Sequence, residues 1–221
     1  HDANGAVSAS RRYHYEDPRQ RFLLTGITDE KGIRFATYAY NDAAQTILSE
    51  HAGGAFRHTF AYPGASSRVV TDPLGTARTF AISYGADTRG RIVSESQPAG
   101  AGCTAGAAIT SYTPAGDMAS STDFNGQKTC FIREPARGLE LTRFEGVPAT
   151  QNCPAAGAAV PAGARVVSTR WHPDWRLTSA SAAPNRIETY VYNGQAGADG
   201  RVLSCASGAT LPNGKPLAVL C

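Results

Sequence analysis

The sequence has few charged residues and no long apolar segment. Asp, Glu, Lys and Arg make up 18% of the 221 residues, and the 21 basic residues are scattered among 18 acidic ones. A nucleic-acid-binding protein needs a basic face interleaved with aromatic side chains, and no run of lysines or arginines supplies one. No stretch approaches the roughly 20 apolar residues of a membrane helix. We therefore expect neither a nucleic acid partner nor a membrane span.

The motifs of common catalytic and cofactor sites are also missing. The sequence contains no GxSxG nucleophile elbow, no HExxH zinc motif and no phosphate-binding loop. Residues 100–105 match GxGxxA by letters, but they follow a proline in an Ala/Gly-rich stretch without a strand–helix pattern. His14 stands beside Glu16 and Asp17, which is more typical of a polar turn than of a metal site. We expect no catalytic residue, no cofactor and no metal.

Cysteine is infrequent and does not occur in metal-binding spacing. No CxxC pair is present among the five cysteines, and no histidine stands at zinc-ligand spacing from them. Disulfides are therefore favoured over metal binding, and disulfides favour an exported protein. Cys205 and Cys221 close a short loop containing glycine and proline, which makes them the preferred pair. The alternative, that all five cysteines are reduced and buried, stays open.

The sequence contains a single methionine, Met118, and shows no signal peptide. We expect the chain to be a piece of a longer protein.

Glycine and proline are abundant, with 23 and 13 residues spread along the chain, which predicts many turns and few long helices. An acidic residue, two further residues and then a glycine form a tetrad that recurs, with starts 21, 22 and 51 residues apart. The tetrads are DEKG (29–32), EHAG (50–53), DPLG (72–75) and DFNG (123–126). An aspartate at the first turn position caps the backbone, and the glycine provides the positive φ of the fourth.

Each turn is followed by a short alternating segment that ends in aromatic residues, which predicts a strand. Five such segments occur: IRFATYAYN (33–41), FRHTFAYPG (56–64), ARTFAISYG (77–85), QKTCFIRE (127–134) and RIETYVYNG (186–194). Aromatic residues two positions apart share one face of a strand, as in Tyr38 with Tyr40, Phe60 with Tyr62 and Tyr190 with Tyr192. A second strand is predicted in QTILSE, TRGRIVSES, ARGLELTRFEG, DWRLTSAS and DGRVLS.

The repeat predicts an all-β fold in which β-hairpins in tandem form an extended, curved or spiralling sheet. Residues 1–221 are interpreted as one such region, with irregular loops near 98–108, 146–163 and 206–216. One hairpin cannot bury its own apolar face, so the units must pair edge to edge. A β-propeller is the rival architecture, because two units supply about the four strands of one blade.

The combination of Y-x-Y strand ends, D-x-x-G turns and Gly-Arg-aliphatic strand starts resembles the YD repeat of Rhs proteins. The residues that carry the resemblance are 38–42, 71–75, 89–92, 171–173, 186–190 and 189–194, and the likeness extends over about residues 13–204. Residues 131–134 (FIRE) lack the tyrosine and aspartate of the motif. The resemblance implies β-strands spiralling into a hollow shell, in large secreted or bacterial cell-surface proteins that carry toxins or mediate contact between cells.

The leading functional hypothesis is a non-catalytic segment of such a shell, involved in toxin encapsulation or delivery or in cell-surface contact. The partners it implies are flanking repeats, an enclosed toxin domain of the parent protein, and further copies of the chain through open strand edges. The alternative is a glycan- or protein-binding module in which Trp171 and Trp175 stack on sugars, although aromatic stripes in repeated strands more often pack between strands. A hydrolase or lyase would need clustered carboxylates, and Glu16, Asp17 and Asp174 are the candidates.

Overall fold

The computed structural model describes residues 9–206 and 208–221, and this part of the chain is all-β, as predicted. Its regular elements are fifteen strands and one 3-10 turn, Ala52–Gly54. The fold divides into two compact units, the first ending at Ala108 and the second beginning at Ile109. No helix among the described residues is long and apolar enough to span a membrane.

The first unit contains eight strands. They are β1 (Arg12–His14), β2 (Gly26–Thr28), β3 (Arg34–Tyr40), β4 (Thr46–His51), β5 (His58–Gly64), β6 (Ser67–Thr71), β7 (Ala77–Tyr84) and β8 (Gly90–Gln97). The remaining strands belong to the second unit, except that the first three residues of β9 precede its boundary at Ile109. They are β9 (Gly106–Tyr112), β10 (Met118–Thr122), β11 (Gln127–Arg133), β12 (Glu140–Pro148), β13 (Arg165–Trp171), β14 (Thr178–Ala183) and β15 (Arg186–Thr189).

Strand order in the sheet is the order of the chain, and neighbouring strands are antiparallel. In the first unit β1 to β8 form one uninterrupted series, and in the second unit β9 to β15 do the same. A propeller would instead divide each series into separate four-stranded blades. The rival propeller prediction is therefore wrong, because each hairpin goes on to pair with the next strand.

The D-x-x-G tetrads at Asp29, Asp72 and Asp123 form tight turns. In the turn between β6 and β7, the backbone N–H of Asp72 donates to the carbonyl of Thr76, and that of Gly75 donates to the carbonyl of Asp72, both at 3.0 Å. The Asp72 carboxylate accepts the N–H groups of Leu74 and Thr76, each at 2.9 Å. Gly75 has a φ of +83°, which suits a residue without a Cβ atom. This pattern is a type I turn followed by a bulge residue of positive φ.

The EHAG tetrad does not form this turn. Glu50 lies inside β4, paired with Thr37 of β3, and the chain reverses one residue later through the 3-10 turn. The turn of the D-x-x-G type in this region is formed by residues 41–44, where Asn41 accepts the N–H groups of Ala43 and Gln45 at 3.1 and 3.0 Å. Ala44 occupies the glycine position with a φ of 60°. Side-chain capping, rather than the glycine, is what the two kinds of turn share.

All five aromatic-ended segments contain strands, namely β3, β5, β7, β11 and β15. The fifth is a strand only up to Thr189, and its two tyrosines lie beyond β15. The predicted strand DGRVLS is also wrong, since Val202 makes only an isolated bridge with Ala196. Here a turn in which the N–H of Gly197 donates to the carbonyl of Arg201 replaces a ladder.

Terminal tyrosines of these segments reach the strand that precedes them. The hydroxyl of Tyr40 donates to the carbonyl of Leu24 at 2.7 Å, and that of Tyr192 donates to the carbonyl of Thr178 at 2.9 Å. In each unit taken by itself, we call the side of the sheet that carries these rings the tyrosine face of that unit. It is defined by Tyr40, Tyr62 and Tyr84 in the first unit and by Tyr190 and Tyr192 in the second.

The apolar core of the second unit lies on the opposite side of β11 and β12. Cys130 is paired with Phe144 across these strands, and both are buried with Val147. Gly146 has a φ of +77°, and the local bulge turns Val147 towards this core. Ala164 and Val166, at the start of β13, pack against the same cluster. The segment between β12 and β13 therefore returns to cover this side of the sheet.

Candidate functional site

An open groove of about 790 Å³ lies on the tyrosine face of the second unit. Strands β11 to β15 and the residues after β15 contribute its lining. The side chains used below are Arg133, Glu140, Thr169, Trp171, Arg176, Ser181, Glu188 and Tyr190.

The floor of the groove is a row of three polar side chains on adjacent strands. Thr169 of β13 is opposite Ser181 of β14, and Ser181 is opposite Glu188 of β15. Side chains of alternate residues point to opposite sides of a strand. Accordingly, Thr169 and Glu188 are half-buried while Arg170 and Ile187 beside them are exposed. The row is thus sheltered within the groove, and Arg170 and Ile187 on the opposite side of β13 and β15 face solvent.

Aromatic rings form the next row, and two of the three are held by hydrogen bonds. Trp171, opposite Thr178, donates from its indole Nε1 to the carbonyl of Glu140 at 2.7 Å. Tyr192 is fixed by its bond to Thr178, and its ring meets the edge of the His172 ring at 5.6 Å between centroids. Tyr190 lies between them in sequence and lines the groove as well. The groove therefore combines flat apolar surfaces with a hydroxyl-rich floor.

The two carboxylates of the groove are paired with arginines, whereas its two guanidinium groups bind backbone carbonyls. Glu140 pairs with Arg143 at 3.1 Å, and Glu188 pairs with Arg186. Arg133 donates to the carbonyls of Met118 and Gly138 at 2.9 and 3.0 Å.

The other guanidinium of the groove, on Arg176, donates to the carbonyl of Arg137 at 2.9 Å. Neither Arg133 nor Arg176 forms an ion pair within the described residues, so both guanidinium groups keep a positive charge in the groove.

Trp175 does not line this groove. It borders a separate cavity of about 140 Å³, together with His172, Asp174, Lys215 and Pro216. The ammonium group of Lys215 pairs with the Asp174 carboxylate, and this hydrogen bond lowers the pKa of Asp174. The structure thus separates the two tryptophans that the sequence suggested as a joint sugar-stacking pair.

The tyrosine face of the first unit has a cavity of a different character. Its volume is about 320 Å³, and its lining is apolar except for Arg68, whose guanidinium lies 5.0 Å above the Tyr62 ring. Phe60 and Val70 are cross-strand partners in this lining, as are Ile82 and Ile92. Large apolar side chains line this cavity, whereas hydroxyl and carboxylate groups line the groove of the second unit.

The carboxylates Glu16 and Asp17 are bound by arginines rather than grouped as a catalytic pair. Arg34 donates to Glu16 at 2.9 and 3.1 Å, and this hydrogen bonding lowers the pKa of Glu16. Arg19 does the same for Asp17 at 2.8 Å. His14 is 2.7 Å from the Thr28 hydroxyl. Within residues 9–206 and 208–221, no group of three or more His, Cys, Asp or Glu is arranged to hold a metal ion.

Four cysteines form disulfides. Cys205 is joined to Cys221, the pair that the short loop favours, and Cys130 is joined to Cys153. Cys130 is fully buried in the core of the second unit, so its bond attaches the segment after β12 to that core. Cys103 is the remaining thiol, and it is exposed.

The sequence pointed to Trp171 but not to the polar floor beside it. Thr169 precedes Trp171 by two residues and so shares its side of β13, which is a signal that alternation provides. The positions of Ser181 and Glu188 depend on the register of three strands, which single-strand patterns do not give.

Comparison with known proteins shows similarity in fold. No protein-family model matches the chain, and no curated protein does so. Two crystal structures, of TcdB2-TccC3-Cdc42 and TcdB2-TccC3-TEV, are similar to it with TM-scores of 0.54 and 0.53, each at 13% sequence identity. In both cases the likeness covers 82% of this chain and 10% of the other, so this chain spans about a tenth of the length of the solved chains. What it shares with that tenth is the fold.

Proposed function

We propose that the chain is a non-catalytic wall segment of a YD-repeat, Rhs-type shell protein that encloses or delivers a toxin or contacts other cells. The observation that carries the proposal is the recurrence of one structural unit. In the copy that contains β3, a capped turn leads into a strand whose terminal tyrosine, Tyr40, is bonded to Leu24 just before the preceding strand, and Tyr62 makes the corresponding bond to Thr46. Repeated addition of such hairpins builds a wall.

The strand order supports the same proposal, because a wall must continue beyond the segment. Antiparallel strands in chain order leave a first and a last strand whose outer edges can accept the flanking repeats. Ile187 of β15 is 79% exposed, which suits a position that the parent protein would cover. The likeness in fold to about a tenth of two much longer chains supports the role of a segment.

The two disulfides support export to an oxidising compartment, the outside or surface of a bacterium. The ion pairs of Glu16, Asp17 and Asp174 support the non-catalytic part of the proposal, since these carboxylates are used in local structure.

Cryo-electron microscopy of the complete protein that carries this chain tests the proposal. We expect strands continuous with β1 and β15 on either side and a hollow wall that includes both units. The proposal is wrong if these residues form a module attached to the rest by a linker, with no strand paired to either edge. Light scattering of the isolated chain adds a second measurement, in which open edges should produce concentration-dependent association.

A second function, binding of a glycan or another protein at a cell surface, is favoured by one specific observation. The groove beside Trp171 is lined by aromatic rings and hydroxyl groups where the first unit has an apolar cavity.

A further inference from the structure

We infer that the groove on the tyrosine face of the second unit binds an acidic oligosaccharide, a sugar chain that carries carboxylate groups. The inference rests on the second proposed function, binding by this groove, and is independent of the shell function. Its basis is the pair of guanidinium groups, on Arg133 and Arg176, that line the groove beside the Trp171 ring.

The turn between β11 and β12 holds the two guanidinium groups close together. Nη1 of Arg133 donates to the carbonyl of Gly138 at 3.0 Å, and Nη2 of Arg176 donates to the carbonyl of Arg137 at 2.9 Å. Consecutive Cα atoms are only about 3.8 Å apart, so two groups bonded to adjacent peptide units must be neighbours. Two positive charges from distant parts of the sequence therefore meet in one part of the groove.

Both guanidinium groups keep N–H donors for a ligand. Arg133 uses Nε and Nη1 for the carbonyls of Met118 and Gly138, and Arg176 uses Nη2 alone. Nη2 of Arg133, and Nε and Nη1 of Arg176, bond to no group in the described part of the chain. A guanidinium presents its donors in a planar fork that matches the two oxygens of a carboxylate.

The carboxylates nearby do not cancel these two charges. Glu140 and Glu188 also line the groove, but Glu140 is paired with Arg143 at 3.1 Å and Glu188 with Arg186. Asp117, just before β10, is outside the lining and forms no ion pair with either groove arginine within residues 9–206 and 208–221. The groove therefore has an excess of positive charge, which attracts an anion.

The setting of Arg133 strengthens its attraction for an anion. The side chain is half-buried, and its guanidinium lies 5.3 Å from the centre of the Phe131 ring. Partial burial lowers the effective dielectric constant, so a charge of opposite sign is attracted more strongly than in open water. Its two carbonyl bonds also fix the guanidinium before a ligand arrives, which reduces the entropy lost on binding.

An aromatic ring is anchored to the same turn as the two charges. The indole Nε1 of Trp171 donates to the carbonyl of Glu140, two residues after Gly138. A pyranose has a flat C–H surface that packs on such a ring, and a uronic or sialic acid carries its carboxylate directly on that pyranose. One acidic sugar can therefore contact the ring and a guanidinium together, while Thr169 and Ser181 in the floor match sugar hydroxyls.

An acidic peptide offers the same carboxylate but fits the groove less well. Extended peptides join β-proteins by pairing with a strand edge, where their backbone N–H and C=O groups find partners. Most of the groove lies on the face of β11 to β14, and each of these strands is already paired on both sides. The observations therefore favour a glycan over a peptide as the carrier of the carboxylate.

The test is binding of the folded chain to an array of uronic acid, sialylated, sulfated and neutral oligosaccharides, beside acidic peptides. Isothermal titration then compares the best carboxylated ligand, such as hexagalacturonate, with its methyl ester, which has the same sugar chain without the charge. Arg176→Gln removes one groove charge, Arg176→Lys keeps that charge without the planar fork, and Tyr190→Ala removes a ring. Arg170→Gln, at an exposed arginine on the opposite side of β13, is the matched control.

We expect a carboxylated oligosaccharide to bind, and its methyl ester to bind about tenfold more weakly or less tightly still, because the ester loses the charge-assisted hydrogen bonds. Arg176→Gln should weaken binding of the acid by about tenfold, Arg176→Lys should weaken it less, and Arg170→Gln should not change it. Added salt should weaken binding of the acid but not of the ester. Circular dichroism of each variant checks that it is folded.

Other outcomes overturn the inference in distinguishable ways. Equal affinity for the acid and its ester, or binding of only sulfated glycans or peptides, contradicts the ligand class and keeps the binding function if Tyr190→Ala abolishes it. Equal weakening by Arg176→Gln and Arg170→Gln shows general attraction to a basic chain and not a site in the groove. No binding by any probe contradicts both this inference and the second proposed function.

Discussion

The hydroxyl of Tyr62 donates a 2.7 Å hydrogen bond to the carbonyl oxygen of Thr46, 16 residues earlier in the chain. Tyr40 makes the same bond to Leu24 at the same separation. In each case the tyrosine ends an aromatic segment and the acceptor stands at or just before the start of the preceding strand. The repeated tyrosine therefore has a structural role: its hydroxyl ties the end of one strand to the beginning of its neighbour.

Replacing Tyr62 with phenylalanine should destabilise the first unit by about 1 kcal/mol, because the half-buried Thr46 carbonyl loses its donor while the ring stays in place. The measurement is the urea midpoint of unfolding followed by circular dichroism. Tyr38→Phe is the control, since the Tyr38 hydroxyl has no hydrogen-bond partner within the described residues. Equal destabilisation by both variants would show that the bond to Thr46 is not what matters.

The Asp72 turn predicts a contrast between two substitutions. Asp72→Ala removes the acceptor of two backbone N–H groups and should cost about 1 kcal/mol, as losses of a side-chain cap usually do. Asp72→Asn should cost much less, because Asn41 performs the same capping in its own turn. Thermal unfolding of both variants compares them. If Asn were as destabilising as Ala, the carboxylate charge rather than the hydrogen-bond geometry would be responsible.

The disulfide between Cys130 and Cys153 should contribute most to the stability of the second unit. It links residues 23 apart, and the chain-entropy argument gives about 3 kcal/mol for a loop of this size. Cys153→Ser should lower the unfolding midpoint accordingly, and dithiothreitol should do the same to the wild type. Cys103→Ser, at an exposed free thiol, should have no effect. An unchanged midpoint in Cys153→Ser would mean that packing of Ala164 and Val166 alone holds the segment.

The ion pair between Asp87 and Arg91 predicts a dependence on pH. Hydrogen bonds from the Arg91 guanidinium, at 2.8 and 2.5 Å, hold the pKa of Asp87 well below its usual range. A carboxylate with a lowered folded-state pKa stabilises the fold above the unfolded pKa, and that contribution is lost as the pH falls through the folded value. Wild type should therefore exceed Asp87→Asn in stability at pH 7, and the difference should shrink below about pH 4.

Urea unfolding of both proteins between pH 7 and pH 2.5 measures this difference. A constant difference across the range would show that the charge of Asp87 is not responsible, because the contact with the Arg89 N–H is kept by an asparagine in both proteins.

The fold class could be predicted from the sequence because the turn and strand patterns that indicate it are local. The turn at Asp72 needs only an acceptor and a residue of positive φ three positions apart, and both are visible in DPLG. The tetrad at Glu50 has the same letters in the acidic and glycine positions, yet its glutamate pairs in β4. A glutamate side chain is too long to cap its own turn as aspartate does, which explains why the tetrad at Glu50 does not form the predicted turn. The Asn41 turn was missed because Ala44 replaces the glycine.

The residues of the groove could be predicted from the sequence only in part. Trp171 is conspicuous in any sequence, and Thr169 follows from alternation along β13. The placement of Ser181 and Glu188 opposite Thr169 is a matter of register between strands, which turn lengths and bulges set and composition does not reveal. The separation of Trp175 from Trp171 likewise depends on the bends at residues 173–176, which follow the end of β13 at Trp171.

Strand order within each unit, finally, has a consequence for how the polypeptide is made. Each strand pairs only with the strands directly before and after it, so a hairpin can form as soon as its second half emerges from the ribosome. No strand has to wait for a distant partner, which keeps loop-closure entropy small and favours rapid folding for a β-protein. For the same reason, a hairpin can be gained or lost by gene duplication or deletion with only its two neighbours needing to adapt.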